Sequence, residues 1–344
     1  MKYVFKATGL ALAITACMGM AVPAHAADKM PKGLEKAMKK PDGFPKRALT
    51  MIVPYGAGGG SGQVARAMAQ AVTEATKVSI KLVYKPGGSG IVGLKSYMAL
   101  PADGYNIVEH IDDAASAYAS GQSAINPAKD LIPLVTSQIT FSQIYIRSNE
   151  KRFTDWKSYV AFAKKQGGKS TIANVSREGS MERINMKKIT DHFGFKAQQI
   201  SFDKAGPRYG ALKGGQVDAL FEQPGDVRGF LDSGDFKPIL TLLQERPAAF
   251  AKVPSMKDVG LKFNPLMRFR GFYVNKDAPK ERVKWLQWAF QKSYFQPSYK
   301  KYNKSKFMDL IPSFRDTAGS RKLINETVEI YKAAYKEMGL TKKK

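Results

Sequence analysis

Cysteine and histidine are almost missing from this chain: Cys17 stands alone, with His25, His110 and His192, among 344 residues. One thiol cannot close an internal disulfide, and so few thiol and imidazole groups exclude a His/Cys metal cluster and most thiol chemistry. Acid is also short, since 29 Asp and Glu face 55 Lys and Arg, a formal net charge of +26. That excess keeps a protein soluble and draws anions over about a Debye length, without naming the anion. Beyond residue 22 no apolar run reaches the ~18 residues that a membrane span requires. What remains is 44% hydrophobic with 30 Gly and 18 Pro, a composition that suits roughly two globular domains and excludes a collagen, a coiled coil or a largely disordered chain.

Residues 1–26 read as an export signal. Lys2 and Lys6 precede an apolar stretch from Ala7 to Val22, and Ala24 His25 Ala26 satisfies the small-x-small cleavage rule, so the mature chain is expected to start at Ala27. Cys17 after Ile14 Thr15 Ala16 loosely resembles a lipobox, which leaves a lipid anchor as the alternative processing. Either route places the protein outside the cytoplasm, in the periplasm. Residues 27–43 form a basic leader rich in Lys, Pro and Gly, read as solvated, with a short basic helix over Leu34 to Lys40 as its alternative.

From Ala48 the pattern alternates. A β-prone run to Val53 stops at Pro54 and a glycine-dense loop, and Val64, Met68, Ala71, Val72 and Ala75 then share one helical face. The same strand, loop and helix order recurs to the C-terminus. Further strands are predicted near Ser79–Tyr84, Tyr105–Glu109, Leu131–Val135, Gln143–Arg147, Ser170–Ala173, Gln199–Phe202, Val217–Phe221, Pro238–Leu242 and Phe269–Val274. Alternation implies doubly wound, mainly parallel sheets, and about ten strands exceed one ordinary sheet, so two α/β lobes are expected.

Two loops carry the local chemistry. Pro54 to Gly62 joins a strand to a helix start, where unpaired backbone N–H groups and the positive helix end favour an anion, and glycine lets a ligand approach the backbone. The bland alternative is a long flexible turn. A P-loop lysine, a GxGxxG register and a nucleophile elbow are all absent here. Ser176 to Ser180 repeats the arrangement ahead of a helix near Met181 to Phe193. Arg177 there either adds a charge-assisted hydrogen bond worth about 1.5–3 kcal/mol to a ligand carboxylate or is a solvated Arg beside Glu178.

Four stretches then carry a resemblance. Ile52 Val53 Pro54 Tyr55 Gly56 Ala57 Gly58 Gly59, Lys85 Pro86 Gly87 Gly88 Ser89 Gly90, Pro101 Ala102 Asp103 Gly104 Tyr105 and Leu212 Lys213 Gly214 Gly215 Gln216 Val217 Asp218 occur in unbroken order. Together they resemble the Bug-type receptors, the periplasmic solute-binding subunits of tripartite tricarboxylate transporters. The resemblance implies a type II periplasmic-binding-protein fold, two lobes closing on a small organic carboxylate, with no catalysis, no cofactor and no metal. The lobes it implies are residues 44–142 with 250–344, and residues 143–249. It also implies integral-membrane transporter subunits as partners and a monomeric receptor.

Carried over by position, Tyr55, Gly58, Gly59, Gly60, Ser61 and Gly62 would form the first ligand loop, and Arg177, Gly179 and Ser180 the second. Phe202 to Pro207 matches a third loop, in which Lys204 and Ala205 replace the usual Gly and Ser or Thr. Glu222 holds the acidic loop position and Phe269 the aromatic one, flanked by Arg268 and Arg270. Gly62 stands where the family commonly has Asp, which disfavours an amino acid ligand, whereas extra arginines suit a dicarboxylate or tricarboxylate. Strand alternation sends Arg268 and Arg270 to the face opposite Phe269, so either the aromatic or the arginines enter the cleft.

Three function classes compete. A carboxylate receptor rests on the export signal and the anion-ready loops, and the same fold also serves a membrane sensor kinase. An enzyme lacks its nucleophile and base, since neither His110 nor His192 sits in a catalytic motif. A polyanion binder is disfavoured because Lys and Arg are dispersed along the chain, so no specific nucleic acid partner is expected.

Overall fold

The β-branched run Leu49–Val53 (β1) lies between two strands that it pairs in parallel, Ile80–Tyr84 (β2) and Asn106–Ile111 (β3). The computed structural model describes residues 28–340 except Ser176; the expected export signal, residues 1–26 with Cys17, falls outside the described residues. Leu131–Thr140 (β4) closes the first sheet, and Arg268–Asn275 (β10) is inserted antiparallel between β3 and β4. The order is β2-β1-β3-β10-β4.

The second sheet repeats this plan from Gln143–Arg147 (β5), Thr171–Asn174 (β6), Gln198–Ser201 (β7), Ala219–Glu222 (β8) and Phe236–Thr241 (β9), in the order β7-β6-β8-β5-β9. Here β6 is parallel to β7 and β8, while β5 runs antiparallel between β8 and β9. In each sheet the antiparallel insert is the strand that the chain enters after crossing from the other lobe. Thr140 and Gln143 make one crossing, and β10 receives the return. Two α/β lobes with mixed sheets result.

Helices cover the sheets: Gly60–Thr76 (α1), Ile91–Met98 (α2) and Asp113–Ala119 (α3) before the first crossing, and Trp156–Lys165 (α4), Met181–Phe193 (α5), Ala205–Lys213 (α6) and Arg228–Asp232 (α7) after it. Lys280–Tyr294 (α8), Pro297–Ser305 (α9) and Thr317–Glu337 (α10) follow the return. Their starts obey local chemistry. Asp155 and Ser158 form a capping box for α4, and Asp316 caps α10 through the Gly319 amide. On α1, Val64, Ala65, Met68, Ala71 and Val72 are buried against the first sheet, each large side chain contributing about 1.5–3 kcal/mol by leaving water. Although α10 is the last helix, its Val328, Tyr331 and Tyr335 join the apolar cluster of the second lobe.

The structure extends two local readings. The leader is mostly exposed, as expected, but it is also tethered: Leu34 is buried, the Asp28 carboxylate accepts from the Ser313 and Phe314 amides, and the Trp288 indole donates to the Lys36 carbonyl. Its apolar residues are too sparse to show periodicity, so the sequence shows only the lysines. Strand β4 also runs on to Thr140, past the expected Val135, although Thr136 to Gln138 are polar. Thr136 and Gln138 are buried but partnered, by Ser320 and by Asn303, which removes most of the penalty that polarity would carry.

Candidate functional site

Where β1 ends, the chain turns through Tyr55 to Gly59 and starts α1 at Gly60, with Gly59 as a cap that offers no side chain and no acid in the first turn. The backbone donors of this helix end therefore depend on something outside the helix. Across the cleft α6 starts in the same condition, because its cap Lys204 makes no side-chain bond and the first turn holds no acid. Pro207 in that turn has no N–H to contribute. These two helix starts, one per lobe, face a single cavity of about 40 Å³ lined by Tyr55, Gly59, Gly60, Ala205, Glu222 and Arg270 among others. That is room for about one or two water molecules, so a larger guest enters only when the lobes part.

Of the residues expected at the site, Tyr55, Gly59, Gly60, Ser61, Ala205 and Glu222 line this cavity. Gly58 and Gly62 belong to the same loop but stand off it. Gly58 faces open space, and Gly62 packs so tightly on the Ala57 carbonyl that no side chain fits. Lys204 is exposed and lies against Gly56 at the cavity mouth. The second expected loop sits elsewhere, at a neighbouring seam between the lobes. There the Arg177 guanidinium donates to Gln122 and to the Ser116 hydroxyl, and its amide donates to the Ser89 hydroxyl. The Gly179 carbonyl accepts from the Tyr335 hydroxyl at 2.8 Å, and Ser180 caps α5.

Helix α5 thus brings no open amino end to the cleft, because Ser180 and Glu182 already occupy it; the pair of opposed open helix ends is α1 with α6. Phe269 faces away as well, packed with Ile139, Phe141 and Phe250 in an apolar cluster, because strand alternation turns Arg268 and Arg270 inward instead.

Three arginines reach this region, and all are engaged. Arg208 is paired with Glu222, whose carboxylate also accepts from the Tyr209 hydroxyl at 3.1 Å. Arg268 donates to Asp112 at 2.6 Å in its own lobe and to Glu182 of the other lobe. Arg270 donates to Gln138 at 3.1 Å and to Asp226 at 2.5 Å, Asp226 lying in the second lobe after β8. Around these three guanidiniums stand the buried carboxyls of Glu109, Asp112, Asp113, Glu182, Glu222 and Asp226. The arginines that suggested surplus positive charge are therefore matched, and outnumbered, by acid.

Burial sets the protonation of that acid. Neither oxygen of Glu109 has a hydrogen-bond partner within bonding distance, and desolvation raises its pKa to about 7 against the pull of Arg270 and the Ser61 hydroxyl. Glu182 and Asp226 are raised too, chiefly by burial, with Arg268 and Arg270 respectively opposing. His110, buried beside Tyr55, is shifted down by burial and so is kept neutral.

Alternation along β10 was the sequence signal for Arg268 and Arg270. Nothing near Arg208 or Asp226 marks them in the sequence, since Asp226 meets its partner only across the lobes.

A methyl group on Gly60 would meet both the Arg270 guanidinium and the Asp226 carboxylate. Alanine suits a helix better than glycine, so Gly60→Ala should hold the lobes apart without harming α1. Small-angle scattering is expected to give a larger radius of gyration for this variant at unchanged helicity, and an unchanged radius would contradict the tight contact.

Among the described residues no cluster of His, Cys, Asp and Glu is arranged to hold a metal ion, and no helix is long and apolar enough to cross a membrane. A protein from Cupriavidus necator encoded in the gbd 5′ region is 24% identical over 308 residues, spanning 89% of this chain and 92% of that protein. Protein BugT of Bordetella pertussis is 25% identical over 64% of this chain and 68% of its own length. The fold matches that of the periplasmic binding protein BugD, with a TM-score of 0.75 at 20% identity over 87% of this chain and all of that one. MatC of Rhodopseudomonas palustris, solved with bound malate, gives 0.75 at 19% identity over 85% and 99%. An R. palustris protein solved with adipate gives 0.77 at 16% identity over 86% and 98%. Residues 64–340 match the family model described as the tripartite tricarboxylate transporter family receptor, and the chain belongs to that family.

Proposed function

We propose that this protein is an extracytoplasmic receptor that closes its two lobes on a small organic carboxylate, a di- or tricarboxylate or an aromatic carboxylate, and delivers it to membrane subunits of a tripartite transporter. The observation that carries the reading is the pair of uncapped helix starts, α1 and α6, that face one cavity from opposite lobes beside Arg270. Oriented backbone N–H groups and the positive helix ends favour a carboxylate there by about 0.3–1 kcal/mol each, and more when partly buried. Malate in MatC and adipate in its R. palustris relative support the ligand class.

In this reading the export signal over residues 1–26 is removed, the mature chain works as a monomer in the periplasm, and residues 44–142 with 250–344 swing against residues 143–249 about the crossings near Ser142 and β10. The lobes are open when ligand enters and shut when the membrane partner reads the complex. Calorimetry of ligand-stripped protein against succinate, malate, adipate, citrate and benzoate is expected to show at least one saturable binding reaction. Silence across the panel would defeat the reading.

A further inference from the structure

Arg270 belongs to the first lobe and Asp226 to the second, and their 2.5 Å ion pair lies against the first turn of α1, within reach of any side chain on Gly60. Both groups are buried, Arg270 at 3% exposure. Helix α1 has no cap or acid of its own, so the negative charge at its amino end is Asp226, contributed by the opposite lobe.

We propose that Asp226 is a resident carboxylate that holds Arg270 in the closed form, and that a carboxylate ligand binds by exchanging with it. The inference rests on the carboxylate reading above and adds the residue that the ligand displaces. When the lobes separate, Arg268 keeps its ion pair with Asp112 of its own lobe, whereas Arg270 keeps a hydrogen bond to the uncharged Gln138 and, without a hydrogen bond, the nearby Glu109 carboxyl that burial holds largely protonated up to about pH 7. Opening therefore uncovers one guanidinium beside an uncapped helix start, and this is the charge a ligand carboxylate meets.

Asp226 cannot stay in place when that happens. Arg208 is held by Glu222 and Arg268 by Asp112 with Glu182, and Gln223 and Glu109 add no positive charge, so a second carboxylate at this point competes with Asp226 for Arg270, with Lys306 a further cation that interacts with Asp226. A ligand carboxylate restores the charge balance that Asp226 provides in the closed form, so the two are alternatives for one site. Asp226 is thus a competitor built into the receptor, and it lowers apparent affinity by the fraction of molecules it keeps latched.

The test compares the full exported chain with its Asp226→Asn variant by calorimetry, using malate and adipate as probes. The variant leaves Arg270 without its charged partner, and the better probe is expected to bind at least about tenfold more tightly than to the parent. Without probe, the variant should scatter with a larger radius of gyration, and probe should return it to the compact value. Arg270→Gln should abolish binding in either background. Equal or weaker binding by Asp226→Asn, with the parent still binding a probe, overturns the exchange and leaves the carboxylate reading standing. No binding by parent or variant overturns both. Should Asp226→Asn fail to fold, Asp226→Ser is read in the same way.

Discussion

Arg268→Met is expected to cost about 3–5 kcal/mol of stability, because it strips the guanidinium bonded to both Asp112 and Glu182 while leaving both carboxyls buried. Arg268 is 1% exposed, its two strong partners come from different lobes, and Asp113 stands 3.6 Å away. Replacing a whole buried ion network by apolar groups is often harmless; removing one member is not, since the charges left behind have no water to turn to. The melting temperature should fall by about 10 °C. Arg268→Lys keeps the charge but cannot reach Asp112 and Glu182 at once with a planar fork, so it should recover only part of the loss. A urea midpoint for Arg268→Met equal to that of the parent would show that the network contributes nothing.

The second large effect concerns pH. Burial raises the Glu109 pKa to about 7 from an ordinary 4.5, so between those values the folded chain holds a proton that the unfolded chain has released. Stability from this group is therefore complete below about pH 4.5 and is lost as pH rises through 7, a loss of about 3 kcal/mol. Glu182 and Asp226, also raised by burial, act in the same direction. Glu150 acts oppositely: hydrogen bonds from Arg152 draw it down to about 2, so its contribution disappears in strong acid. Stability should pass through a maximum in mildly acidic solution. Glu109→Gln, which keeps the shape without the charge, should raise the denaturation midpoint at pH 8 and flatten its fall between pH 5 and 8. An unaltered slope in the variant would mean that Glu109 is ionised throughout.

Both effects originate in residues whose importance is not local. Strand β5 falls at Gln143–Arg147 and helix α5 at Met181–Phe193, as their periodicity predicts, because each is set by side chains a few positions apart and by caps such as Ser180. The Tyr55 to Gly62 loop is legible for the same reason. A helix start without a cap leaves its donors open wherever it lies in the fold, and glycine there keeps the approach clear. The anchoring of the leader is not legible in the sequence, because Leu34 joins an apolar cluster and Trp288 bonds the Lys36 carbonyl from α8, some 250 residues further along the chain.

The sequence by itself determined the two α/β lobes, the family, the first anion-ready loop and the choice between Phe269 and the two arginines once one of them was known to face inward. Only the tertiary structure decided that α6 rather than α5 opposes α1, that Arg270 is closed by Asp226, and that acid outnumbers base in the cleft. The reason is range. Backbone donors and side-chain alternation are properties of neighbours along the chain, whereas Arg268 finds Asp112 across 156 residues and Arg270 finds Asp226 across 44. Which charges neutralise one another depends on how the lobes meet, and no local pattern encodes that.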